Sequence, residues 1–148
     1  MPMRVNGCDL TVTVNGATAL AETTTGVLDE VSRVVSAGGN ASAAVTLPSR
    51  DGAFTRRMYR VLGVTAPVPE RRLSVFSDGS LVLVTYEADD HEWVIEGAPR
   101  PGTVQLRTRR GEPFAVPASD CTSPEQALDA VREFLATGKR PSGRWRRS

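Results

Sequence analysis

Apolar and polar residues alternate from Cys8 to Val14, with Leu10, Val12 and Val14 on one face, Thr11 and Thr13 on the other, and Asn15-Gly16 after them. A period of two puts successive side chains on opposite sides of a pleated backbone, so this segment predicts a half-buried strand ending in a turn. Beyond Thr23-Thr24-Thr25 the spacing changes. Val27, Leu28, Val31, Val34 and Val35 recur at the helical period while Asp29, Glu30 and Arg33 take the other side. That predicts a helix capped by one of the three threonines and stopped at Gly38-Gly39. Ala43, Val45 and Leu47 then alternate as a short strand before Pro48.

Residues 49 to 70 fit a short helix or a strand equally well, because Arg56, Arg57 and Arg60 interrupt Met58, Tyr59, Val61 and Leu62. The next signal is sharper. Arg72 to Phe76 and Leu81 to Tyr86 are apolar runs around Ser77-Asp78-Gly79-Ser80, which predicts a β-hairpin. Leu81-Val82-Leu83-Val84 is apolar on both faces, as in a central strand covered on both sides, or on one side with an unusually apolar outer face. Glu92 to Glu96 and Thr103 to Arg107 follow as strands, and the short link between them predicts an antiparallel meander. Phe114-Ala115-Val116, between Pro113 and Pro117, suits an edge strand.

Near the C-terminus, Ser123 is the predicted N-cap of a helix, Pro124 its first residue and Gln126 the partner in a capping box. Its apolar stripe is Ala127, Leu128, Val131, Phe134 and Leu135, and Gly138 with Pro141 ends it. The order of elements predicts an α+β fold: a single domain over residues 1–137 with two helices mainly on one face of an antiparallel sheet, and a basic tail over 138–148.

Composition adds little until it is divided by position. A chain of 148 residues at 40% hydrophobic and 24% charged builds a core without metal or disulfide staples, and Cys8 and Cys121 are too far apart in sequence to form a ligand or redox motif. No signal-peptide pattern or membrane-length apolar run is present, so a cytoplasmic location is expected. The net charge of +1 conceals two opposed blocks. Tyr86 to Glu96 holds five acids and no Lys or Arg, whereas the last eleven residues hold five basic residues and no acid, leaving residues 1–137 at −4.

Candidate chemistry is sparse. Asp89-Asp90-His91-Glu92, with the only histidine, reads as an acid/base or metal cluster or as a solvated acidic turn. Cys121, just before the capping box, reads as an activated thiolate or as a small buried hydrophobe. No phosphate-binding glycine loop, nucleophile elbow or zinc-deaminase signature occurs, and no enzyme, cofactor or metal is expected. The basic tail, with Trp145 as its one aromatic, suits a solvated terminus or a nucleic-acid contact. The acidic segment suits a protein partner. Its charge would steer association with a basic surface, and Trp93 is either an interface anchor or core.

Asp78-Gly79-Ser80-Leu81 enters a strand and is followed by Trp93, Pro113-Phe114-x-x-Pro117 and Ser123-Pro124-Glu125-Gln126-Ala127. The series closes on Glu133-Phe134-Leu135-Ala136-Thr137-Gly138-Lys139-Arg140-Pro141 and Trp145. On these motifs residues 72 to 146 resemble the first-numbered immunity-protein family of actinobacterial polymorphic-toxin systems. Residues 1 to 70 match only in element order. The resemblance implies a non-catalytic protein that binds and neutralises a cognate toxin, often a deaminase-type one. Joined to the charge pattern, it gives a toxin-binding surface of Glu87, Asp89, Asp90, His91, Glu92, Trp93 and Glu96 facing a basic active site. The alternative is a secretion-system adaptor or chaperone, or a nucleic-acid-binding accessory protein using the tail.

Overall fold

A computed structural model describes residues 1–48, 61–63 and 70–148, so most of the 49–70 stretch left open above lies outside the described residues. The chain runs β1 (Arg4–Val5), β2 (Cys8–Asp9), β3 (Thr11–Val14), β4 (Ala17–Leu20), α1 (Thr24–Ser36), β5 (Ala41–Leu47), β6 (Arg71–Ser77) and β7 (Val82–Ala88). It continues through β8 (His91–Ile95), β9 (Thr103–Arg107), β10 (Pro113–Pro117), a short 3-10 turn (Ala118–Asp120), α2 (Pro124–Thr137) and β11 (Trp145–Arg147). Seven strands make one antiparallel sheet in the order β11-β8-β7-β6-β5-β3-β4. The chain is an α+β fold, with both described helices against one face of this sheet.

Each helix forms where its caps and stripe require. Thr23 is the α1 cap, its hydroxyl accepting from the Gly26 N–H, and Val27, Val31, Val34 and Val35 are buried. In α2 both halves of the capping box are made, and Gly138 closes the helix at φ 68°. Fully buried Phe134 sits with Leu10, Leu47, Leu73, Val75, Val82 and Val84 in the main core. Arg71 reaches into this side from β6, where its Nη1 donates to the Gly138 carbonyl.

The hairpin of β6 and β7 turns where Asp-Gly predicts it. The Asp78 carboxylate accepts from the Ser80 and Leu81 N–H groups, and Gly79, at φ +103°, passes so close to the end of α1 that a Cβ would lie 2.9 Å from the Ala37 carbonyl oxygen. Burial opposes ionisation of Asp78, but those N–H groups and the Ser80 hydroxyl hold its carboxyl below the ordinary value.

Four expectations change. The segment from Cys8 to Val14 is two strands, β2 pairing with β1 and β3 joining the main sheet, because fully buried Leu10 turns into the core between them. Ala17–Leu20, which has no strong alternation, forms edge strand β4 through pairing with β3. The meander ends at β8: among the described residues β9 pairs only with β10, and this hairpin lies across the sheet face away from the helices. There Val104, Leu106, Ala118 and Cys121 cover Leu83 and Val94, which accounts for the two-sided apolar character of β7. Pro99 and Pro101 in the link have no N–H to continue a ladder. Finally, the basic C-terminus is not a solvated end, since Trp145, Arg146 and Arg147 pair with Ile95, Val94 and Trp93.

Candidate functional site

The acidic segment is the β7–β8 hairpin. Its turn is Asp89-Asp90, both with positive φ (54° and 62°), the backbone that a two-residue hairpin of favourable twist needs and that Asp tolerates. On either side the strand period divides the seven expected residues. Tyr86, Ala88, Trp93 and Ile95 join the core beneath the helices, and His91 shares their side of the strand, whereas Glu87 and Glu92 face away with Leu83 and Val94. His91 and Glu92 therefore point to opposite faces. The Asp89-Asp90-His91-Glu92 run does not converge as an acid/base group.

The helix-side half is covered by the chain's own basic end. Trp93 is half-buried, its ring 5.8 Å from that of Tyr86, with the Arg140 guanidinium carbon 5.3 Å from the ring centroid. Arg147 Nη2 lies 2.5 Å from His91 Nδ1, and because a guanidinium only donates, that ring nitrogen accepts. Backbone bonds seal the edge: the Glu96 N–H donates to the Arg144 carbonyl and the Ser148 N–H to the Glu92 carbonyl, each at 2.9 Å. On the opposite face Arg146 pairs with Asp120 at 2.7 Å. The two charge blocks of the sequence are neighbours in the fold.

The remaining carboxylates stay available. Asp89, Asp90, Glu92 and Glu96 are exposed and make no ion pair among the described residues, and Glu87 makes one, to Arg72 at 3.8 Å. Glu87 and Glu92 are register partners, so like charges stand directly opposite each other. Partial burial, and then Glu87, push the Glu92 carboxyl above its usual range. Beside this pair a cleft of about 260 Å³ opens over Phe76, Leu83 and Phe114, and Arg109 also lines it. Sequence reading did not find this cleft, because Phe114 and Arg109 reach it only through the crossing of β9–β10. The Arg72–Glu87 register was available from the hairpin turn.

The other chemical candidates lose their reactive reading here. Cys121 is fully buried, and desolvation, then the Asp78 and Asp120 carboxylates, push its thiol up to about 11, so it is not a thiolate at neutral pH. Cys8 is also a buried free thiol. Among the described residues, no three His, Cys, Asp or Glu side chains are grouped to hold a metal, and no helix is long and apolar enough to cross a membrane.

No curated protein matches the chain. A family model described as Immunity protein Imm1 matches residues 19–146. That match extends further towards the N-terminus than the resemblance from residue 72, taking in α1 and β5, and it includes acidic β7–β8 and the first two residues of β11, Trp145 and Arg146. The chain belongs to the Imm1 family of immunity proteins, whose partners are toxins.

Proposed function

We propose that this protein neutralises a toxin acting on nucleic acid, of the deaminase type, by binding it in the cytoplasm through the acidic β7–β8 surface, without catalysis of its own. The observation that carries this reading is the pair of turn carboxylates, Asp89 and Asp90, exposed at the hairpin tip with no ion pair among the described residues. A toxin that handles nucleic acid needs a basic groove for phosphate, and fixed acids at a protruding tip can enter such a groove while their field accelerates encounter. The reading through a nucleic-acid-binding tail has less support. Arg140, Arg146 and Arg147 are engaged by Trp93, Asp120 and His91, which leaves fewer free cations for phosphate.

Co-expression with the cognate toxin tests the surface. Charge reversal at Glu87, Asp89, Asp90 and Glu92 together should abolish protection and binding while the purified variant stays folded. Protection and affinity equal to wild type would remove this surface from the mechanism. The toxin class is checked separately, by sequencing nucleic acid from cells expressing the toxin alone for deaminated bases.

A further inference from the structure

The acids of the β7–β8 hairpin occupy two environments. Asp89 and Asp90 project from the tip into water, whereas Glu87 and Glu92 line the cleft on the sheet face that β9–β10 crosses. The floor of that cleft is apolar and fixed: Leu83 is buried, and the rings of Phe76 and Phe114 meet edge to face with centroids 5.5 Å apart. At about 260 Å³ it is smaller than the roughly 300–1,000 Å³ of small-molecule sites, which suits a single long side chain.

Its charge specifies the occupant. Glu87 shares Arg72, Glu92 has no cation among the described residues, and Arg109 is not within 4.0 Å of either carboxylate. Two like charges forced opposite each other by strand register repel, and a cation placed between them turns that repulsion into two attractions. An occupant that covers the apolar floor displaces water from the cleft, so such a pair counts for more there than at the tip. A planar guanidinium can donate to both carboxylates and lie on an aromatic face, and its aliphatic stem can cover Leu83; an ammonium is a point charge without that fork.

We infer that this cleft receives an arginine side chain of the partner toxin, its guanidinium between Glu87 and Glu92 and its stem along Phe76, Leu83 and Phe114. The inference rests on the acidic-surface reading above and divides that surface by role. Asp89 and Asp90 accelerate encounter, and the Glu87–Glu92 cleft holds the complex.

The test is the binding kinetics of the catalytically inactivated cognate toxin domain with this protein, at low and physiological salt. Glu87→Gln with Glu92→Gln, which keeps shape and removes charge, should raise the dissociation rate about 30-fold or more and change the association rate little. Asp89→Asn with Asp90→Asn should slow association at low salt and leave dissociation unchanged. Arg109→Ala, which removes the competing cation lining the cleft, should slow dissociation. An alanine scan of the toxin's surface arginines against both backgrounds identifies the occupant. One arginine should cost at least about tenfold in affinity against the wild type and less than about twofold against the double Gln variant, the signature of a coupled pair. A dissociation rate within twofold of wild type for the double Gln variant, with wild type still binding, overturns the cleft and leaves the immunity reading intact. Coupling to a lysine alone also overturns it. If the wild type does not bind the toxin, both readings fall.

Discussion

Gly97 passes under Cys121 so closely that a Cβ at position 97 would lie 1.9 Å from the Cys121 carbonyl oxygen, and the Gly97 N–H donates to the Ser119 carbonyl at 3.1 Å. This contact holds the exit of β8 against the segment returning from β10 to α2. Backbone surrounds the glycine on that side, so no side-chain rotation can relieve an added methyl. Gly97→Ala should therefore reach or exceed the upper part of the usual overpacking range, about 3 kcal/mol. Urea denaturation measures it, and a loss below about 1 kcal/mol would mean the segment yields freely.

The start of α2 makes a smaller and cleaner test. Ser123 Oγ accepts from the Gln126 N–H at 3.2 Å, and the Gln126 side chain returns a bond to the Ser123 N–H at 3.4 Å. Ser123→Ala removes the first bond and orphans a helix N–H, at a cost of about 1 kcal/mol. For a domain near this size that lowers the thermal midpoint by roughly 2–4 °C. Ser123→Asp, which restores an acceptor and adds a favourable charge at the helix N-terminus, should recover the loss.

Cys121 gives a prediction in pH. Its folded-state thiol titrates at about 11, above the ordinary thiol value, so the folded protein prefers the protonated form more strongly than the unfolded chain does. That preference is fully present below the unfolded thiol's pKa of about 8.5 and is lost as pH rises through the folded value. Stability should therefore decline from about pH 8.5 towards 11 in wild type. In Cys121→Ala this part of the slope should disappear. A thiol reagent at pH 8 should modify Cys121 only after denaturation.

The elements legible in the sequence are those whose signal is local. The α2 capping box, the α1 valine stripe and the Asp78-Gly79 turn each bring their own hydrogen-bonding or steric reason within a few residues, and all three form as expected. The acidic surface was legible as charge but not as geometry, because alternation in β8 sends His91 and Trp93 to one face and Glu92 to the other. What stayed hidden depends on contacts distant in sequence. Nothing near Ala17–Leu20 marks a strand, which exists because β3 offers an edge. Nothing near Gly97 marks a tight site, because the atoms that crowd it belong to Ser119 and Cys121. The basic C-terminus misleads most, since five positive charges in eleven residues suggest solvation, whereas the edge of β8 and a place for one indole decide its position.

That placement makes the C-terminus a structural element with a measurable contribution. Trp145 is half-buried against the core, its Nε1–H donates to the Pro141 carbonyl at 2.8 Å, and its ring meets that of Tyr86 with centroids 6.3 Å apart. Full burial of a large aromatic makes its truncation cost about 3–5 kcal/mol, and half burial brings Trp145→Ala to about 2 kcal/mol. Deleting residues 143–148 should cost more, because it also exposes the edge of β8 and removes the Arg146–Asp120 pair and the Arg147–His91 contact. A solvated tail would behave differently, its removal leaving the urea midpoint unchanged and only lowering the net charge. The charge contribution separates from the packing contribution in Arg146→Gln with Arg147→Gln, which keeps Trp145 and the strand. That variant should lose about 1 kcal/mol, because Arg146 and the Arg147–His91 contact are exposed although Asp120 is largely covered, while the deletion loses several times as much. Equal losses in the two would assign the stability of this edge to charge and not to the indole and the ladder.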